Sequence, residues 1–167
     1  MKKLLLLITA ITLLSCSKDD DSTGFNTEIY TKEKLEILHG GSTKKWVLEN
    51  YYSSYPNISK KEDCYVDDIY EFTNIEDEED ENKFIVNVIA GDISCSPHFP
   101  TEVATASISL YEESGTVYLS TGRGYEKEDI VKVTFFSLPL VELTEDRIIF
   151  SSGENLNNEK VLIFRPL

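Results

Sequence analysis

Basic charge is scarce in this 167-residue chain, where 16 lysines and arginines face 30 acidic residues for a formal net charge of -14. Contact with a nucleic-acid backbone depends on a basic patch or stripe, and none is present, so nucleic acid is excluded as a partner. Histidine is nearly absent, with only His39 and His98. Neither has a recognisable serine or cysteine partner, and no serine stands in a G-x-S-x-G elbow, so no catalytic residue is assigned and the chain reads as a non-enzyme. Cysteines number three. None has a second at metal-ligand spacing, and His98, though close behind Cys95, lies between Pro97 and Pro100 in a solvated bend, so neither a metal nor another cofactor is expected. Long apolar runs are missing too. The stretch Leu4 to Leu14 covers 11 residues, well short of the roughly 20 that cross a bilayer as a helix.

That short run reads instead as the core of a cleaved leader spanning residues 1–15, with Lys2 and Lys3 before it and the small Ser15 at its end. Leu13-Leu14-Ser15-Cys16 resembles the lipobox cut by the lipoprotein-specific peptidase. The resemblance implies that Cys16 becomes the acylated first residue of the mature protein, anchored to the membrane through its N-terminal lipid. Ser17 to Ser22 follows as a polar, acidic run that buries nothing. It resembles the acidic export tag of surface-displayed Gram-negative lipoproteins, which places the protein at the outer membrane, exposed on the cell surface. Residues 16–27 are thus a lipidated tether and residues 28–167 one domain, long enough for a single core. Without Lys2 and Lys3 the mature chain carries 14 basic against 30 acidic residues.

Cys64 and Cys95 form an even pair in a chain that leaves the reducing cytoplasm, which favours a disulfide over two free thiols. A short helix is expected over Thr31 to Leu38, ended by Gly40-Gly41. From Trp46 onward the pattern is strand after strand. Trp46, Leu48 and Tyr52 share one face at period two; Tyr70 with Phe72, and Phe84 with Val86 and Val88, repeat the pattern. Further strands are expected over Val103 to Tyr111, Thr116 to Thr121, Ile130 to Ser137, Leu140 to Leu143, Arg147 to Ser151 and Lys160 to Arg165, with turns at Thr144-Glu145-Asp146 and Gly153 to Asn158. Eight or nine strands with no helix between them predict an all-β, antiparallel, up-and-down barrel, a β-sandwich being the competing arrangement. An eight-stranded interior is either filled by side chains or holds one small ligand.

In that order, several segments resemble the bacterial lipocalin-like lipoproteins: Gly40 to Leu48 as an opening strand, Cys64-Tyr65-Val66-Asp67-Asp68-Ile69-Tyr70-Glu71-Phe72 as a cysteine, acidic pair and aromatic strand, Gly91 to Cys95 as the second cysteine, and Leu140 to Phe150 as a late hairpin. One departure is Ala104 to Ile108, where the family usually carries a tryptophan. The resemblance implies a lipocalin-like barrel and a structural latch in which Arg165 of the last strand stacks on Trp46 of the first.

The remaining clusters read as structure. The acidic run Ile75 to Asn82 lacks the alternating ligands and glycine of a calcium loop and is a solvated hairpin loop. Asp67 and Asp68, being adjacent, are expected on opposite sheet faces. Gly122-Arg123-Gly124 lacks the third glycine of a nucleotide loop and reads as a turn. Tyr51, Tyr52, Tyr55, Tyr65 and Tyr70 are of a type that often lines recognition surfaces. Two functions follow as expectations: a small apolar ligand bound in the barrel, or an acidic module that meets a cationic protein partner in a salt-sensitive way.

Overall fold

Apolar residues at period two need a second apolar face to cover them, and a sheet that closes on itself supplies it. In the computed structural model, which describes residues 28–58, 64–99, 101–153 and 159–167, the chain forms one short helix and nine strands. The helix is α1 (Glu36–His39). The strands are β1 (Thr43–Ser54), β2 (Asn57–Ile58), β3 (Ile69–Glu76), β4 (Lys83–Ile89), β5 (Thr101–Tyr111), β6 (Thr116–Lys127), β7 (Ile130–Leu143), β8 (Ile148–Ser151) and β9 (Val161–Pro166). Each pairs antiparallel with its neighbour in the order β2-β1-β3-β4-β5-β6-β7-β8-β9, and β1 also pairs with β9. That last pairing closes β1 and β3 to β9 into an eight-stranded up-and-down barrel, with β2 as a short appendage on β1. The fold is therefore the lipocalin-like barrel, not the sandwich. The leader, Cys16, the tether up to Asn26 and most of the Gly153 to Asn158 turn lie outside the described residues.

Helical order in α1 is shorter than the pattern predicts. Leu35 N donates to the Thr31 carbonyl at 3.1 Å, but Glu36 and Ile37 donate back only three residues, to the carbonyls of Glu33 and Lys34 at 3.2 and 3.5 Å, so residues 32–35 form turns and not a continuous α-helix. Gly40 ends the helix as expected, at φ +60° with its N–H 2.6 Å from the Glu36 carbonyl. Leu35 and Leu38 are buried against one end of the barrel, called here the lower end.

Trp46, Leu48, Tyr70, Phe72, Ile108, Leu110, Val117, Leu119, Ile148, Phe150, Leu162 and Phe164 fill the lower and middle interior, each at most 2 % exposed. Between Leu35, Leu38, Phe72, Phe84, Val86 and Ile108 the space left is about 10 Å³, at the threshold for one water molecule. Ligand-sized space is absent from that part of the core.

Two strand expectations change. In β1 the register shifts between Leu48 and Asn50 against β9, so Glu49 is the extra residue of a β-bulge. The bulge resets the alternation, and Tyr51 rather than Tyr52 is buried. In β7 the expected segments Ile130 to Ser137 and Leu140 to Leu143 are one strand of 14 residues that runs through Pro139. Pro139 stands opposite Tyr118 in the stretch of β7 that β8 does not pair, so its missing N–H costs no ladder bond on that side.

Candidate functional site

Closure is complete only in the lower half. Pairing between β4 and β5 runs from Lys83↔Ser109 to Val86↔Ala106 and stops, and β7 pairs with β8 only over residues 140–143. Above those levels, among the described residues, β5, β6 and β7 continue as a three-stranded ribbon, in register as far as Thr101↔Glu126 and Lys127↔Ile130. The barrel's upper end is split into two jaws, this ribbon and the group formed by β1, β3, β4 and β9.

Gly122-Arg123-Gly124 lies inside β6, not in a turn. The reversal comes five residues on, where Glu128 and Asp129 take φ of +52° and +62° between Lys127 and Ile130, the geometry of a two-residue hairpin loop. The glycines serve close approach: a β-carbon at Gly124 would overlap the Lys132 carbonyl, and one at Gly122 would press on Val133 and Phe135. Between them Arg123 follows Leu119 and Thr121 on the inward side, opposite Ala104 and Thr134.

Arg123 meets Asp68 from the other jaw. Its Nη2 forms an ion pair with Asp68 Oδ2, with the two side chains 4 % and 0 % exposed, so the pair is fully desolvated and bridges the split. Asp68 Oδ1 also accepts from the Gly91 N–H at 3.1 Å, while Asp67 Oδ2 accepts from Ile93 N at 3.0 Å. The adjacent carboxylates therefore both fasten the loop that follows β4, each in its own way. This loop is tied again by the Cys64–Cys95 disulfide, whose Cα atoms are 5.1 Å apart, and by Glu102, which accepts from Cys95 N at 3.1 Å. Phe99 stacks on Tyr125 with ring centroids 3.5 Å apart, joining the loop to the ribbon.

Aromatic rings complete the upper interior. Tyr51 lies edge-on to Tyr65 at 5.1 Å and stacked with Phe136 at 5.6 Å, and the Arg123 guanidinium sits 5.6 Å from the Tyr65 ring centre. Lys160 places its ammonium 4.2 Å over Phe136 and 5.8 Å from Tyr51. Deeper in, Tyr70 is 3.2 Å from Thr121 Oγ1, which itself donates to the Thr105 carbonyl. Since the threonine proton is already committed, the Tyr70 hydroxyl is the donor. Burial pushes the Tyr70 phenol far above its ordinary range.

Water reaches this level of the barrel. Ala104, Ala106 and Phe136 point inward in register with Arg123 and Thr121, yet they are partly exposed, and Thr134 is exposed. The small Ala104 and Ala106 leave room at the position where a bulky side chain would close the core. Arg123 itself is only 6 % exposed, and its Nε and Nη1 have no hydrogen-bond partner. Burial pulls its proton affinity down while Tyr65 and Asp67 raise it; a guanidinium remains a cation throughout. Comparison with protein-family models, with curated proteins and with solved structures returned no match. Function is therefore argued from this cup alone.

The residues singled out by sequence divide. Cys64 and Cys95 are bonded as expected, and the disulfide staples the loop at the cup's edge. The latch between Trp46 and Arg165 is not formed. Val47 stands opposite Arg165 and Trp46 opposite Pro166, so the arginine shares the outward face with Val47 and is exposed while the indole is buried. Lys44 supplies the cation over the indole, 4.3 Å from its centre, and the indole N–H donates to the Leu38 carbonyl at 2.8 Å. Trp46 thus latches α1 to the barrel floor. His39 accepts from Gly41 N at the lower end and His98 is exposed. The acidic run is a hairpin loop closed by Asp77 and Asp80 accepting from Glu79 N and Asn82 N. Arg123, Asp68 and Lys160 were the residues sequence reasoning missed.

Proposed function

We propose that this protein is a lipid-anchored, non-enzymatic lipocalin-like protein of the outer-membrane surface that holds a small ligand at the upper end of its barrel. One observation carries the ligand reading: the lower interior is packed solid, whereas the upper interior is reached by water and presents a buried arginine with unpartnered donors among aromatic rings. Ligand sites combine that apolar lining with a few placed polar groups. The earlier expectation of a ligand filling the barrel narrows accordingly to its mouth. Anchoring rests on the Cys16 lipobox and the acidic tether, and the domain begins at the lower end, where Tyr30 N donates to Gly115 O at 2.9 Å. A tether attached there leaves the cup at the end away from the attachment point.

Native mass spectrometry of the protein extracted from its own membranes tests the reading. A small molecule that co-purifies and is shed on activation supports it, while bare protein alone sinks it. Replacing Cys16 with alanine should move the protein from the membrane to the soluble fraction, and continued membrane association would remove the anchor. A second reading, docking of a cationic protein, draws on the ribbon, where Val131 and Phe135 are 57 % and 60 % exposed beside the acidic Glu126, Glu128 and Asp129. A partner lost at raised salt in the same experiment would favour it.

A further inference from the structure

A free sheet edge is a row of unpaired backbone N–H and C=O groups, a template for another strand unless something blunts it. The ribbon has two such edges. On β5 the open stretch covers residues 101–105, and Glu102 within it is tied to the disulfide-stapled loop through Cys95 N and the Ser94 hydroxyl. On β7 it covers residues 130–139, with no strand beside it among the described residues. Little blunts that second edge. Its outer face carries Val131, Val133 and Phe135, while the one charge in the stretch, Lys132, shares the inner face with Thr134 and Phe136. Val131 and Phe135 are each more than half exposed. In a chain with 28 % charged residues, a strand this apolar turned toward water marks a contact surface.

We propose that β7 pairs antiparallel with β7 of a second copy across a two-fold axis at Val133, joining the two three-stranded ribbons into one sheet. The apolar pattern is its own complement about that point. Pairing centred on Val133 sets Val133 against Val133 and Val131 against Phe135 on both sides of the axis, whereas moving the centre one residue either way leaves an apolar residue opposite Asp129 or Ser137. Charge agrees with the same register. Lys32, Lys34, Lys44, Lys45, Lys83 and Lys127 each lie beside a carboxylate, but Lys132 and Lys160 have none among the described residues, and both are at this edge. Lys160 reaches over Phe136 of β7, 4.2 Å from its ring centre. The pairing lays the acidic Glu128-Asp129 tip of each copy alongside Ser137 and Leu138 of the other, next to that lysine. A single strand from each copy makes a small interface, so the copies separate on dilution. The two-fold turns the lower ends away from each other and brings the two cups together at the centre.

Sedimentation velocity of the full-length protein extracted in detergent, read across a dilution series, tests the proposal. The native protein is expected to pass from dimer to monomer as it is diluted. Val131→Lys, at an exposed position, should weaken association by about tenfold or more, because it sets a charge against Phe135 on both sides of the axis. Adding Phe135→Glu should restore the dimer, since in the register centred on Val133 each lysine then faces a glutamate of the other copy. Val133→Cys should couple to its own copy through a short bis-maleimide, whereas Val103→Cys, in the same row on the β5 edge, should not. An unchanged melting temperature in each variant separates loss of pairing from loss of fold. A native protein that stays monomeric throughout and does not couple at Val133 would overturn the proposal. So would a dimer that Val131→Lys leaves intact, or one that the added Phe135→Glu does not recover, since either places the contact elsewhere. Coupling of Val133→Cys to a different protein in the extract, with none to its own copy, would give the edge to another partner and overturn it as well.

Discussion

A single desolvated ion pair holds the two jaws of the upper end together, and its energetics are one-sided. Removing one partner of such a pair leaves the other charged and buried, which costs about 3–5 kcal/mol. Asp68→Asn keeps an acceptor for Gly91 N but leaves Arg123 without its buried partner, so the unfolding free energy read from denaturant titration should fall by that amount. Asp68→Leu combined with Arg123→Met should recover most of the loss, and a double variant as unstable as the single would show that the pair was not its source. Arg165→Ala is the contrasting case. With its side chain exposed and no contact to the indole, it should shift stability by less than about 0.5 kcal/mol. Tyr30 adds a pH dependence at the same scale. It is 3 % exposed at the barrel floor, and burial, with Glu28 and Glu142 nearby, raises its phenol from 10.0 to about 12. Below pH 10 folded and unfolded chains both hold the proton, and the contribution is complete. As pH rises from about 10 toward 12 the unfolded chain releases a proton that the folded chain keeps, so stability falls. Urea unfolding across that range should show a steeper alkaline loss for the native protein than for Tyr30→Phe, and parallel curves would show that Tyr30 titrates normally.

Among the elements, the hairpin between β6 and β7 shows what sequence did and did not reveal. Period-two patterning located every barrel strand, because a half-buried strand advertises its face residue by residue. It missed the turn because Glu128 and Asp129 carry none of the Asn-Gly chemistry that usually marks positive φ, whereas Gly122 and Gly124 look like a turn and serve packing instead. The Glu49 bulge was equally silent, since one inserted residue changes the face of everything after it without altering composition. The cup was hidden for a related reason. Asp68 and Arg123 meet across the split end of the barrel, and pairing at that distance leaves no spacing to read. The hairpin supplies its own test. Glu128→Asn with Asp129→Gly gives the turn the residues its geometry prefers and should stabilise the domain by about 0.5–1 kcal/mol. A loss of stability would mean that the two acidic side chains contribute more there than their strained backbone costs.

Taken as a whole, the molecule is a closed barrel below and an open one above, and that difference predicts how it moves. In the lower half each barrel strand is paired on both sides, and the side chains between them are fully buried, so those amides exchange only when the domain unfolds globally. In the ribbon, β6 has two partners, but β5 over residues 101–105 and β7 over residues 130–139 have one described partner each. Their restraint comes from cross-jaw contacts such as Arg123 to Asp68, Tyr70 to Thr121, Phe136 to the tyrosines and Lys160, Glu102 to Cys95 N, and Phe99 to Tyr125. Opening the jaw sacrifices those contacts and little of the core. Hydrogen exchange of the full-length protein should therefore divide the chain by height and not by sequence. Amides across residues 121–135 are expected to exchange on the order of a hundredfold faster than those at Trp46, Leu119, Phe150 and Phe164, a gap of a few kcal/mol in opening free energy. Within the ribbon the tip beyond Tyr125 should exchange first, since the Phe99 stack on Tyr125 is the outermost of these cross-jaw ties. Asp68→Asn should widen the gap by loosening the jaw while leaving the lower amides in their original order. Uniform protection from Thr116 to Lys127 would instead mean that the ribbon is held as firmly as the barrel floor.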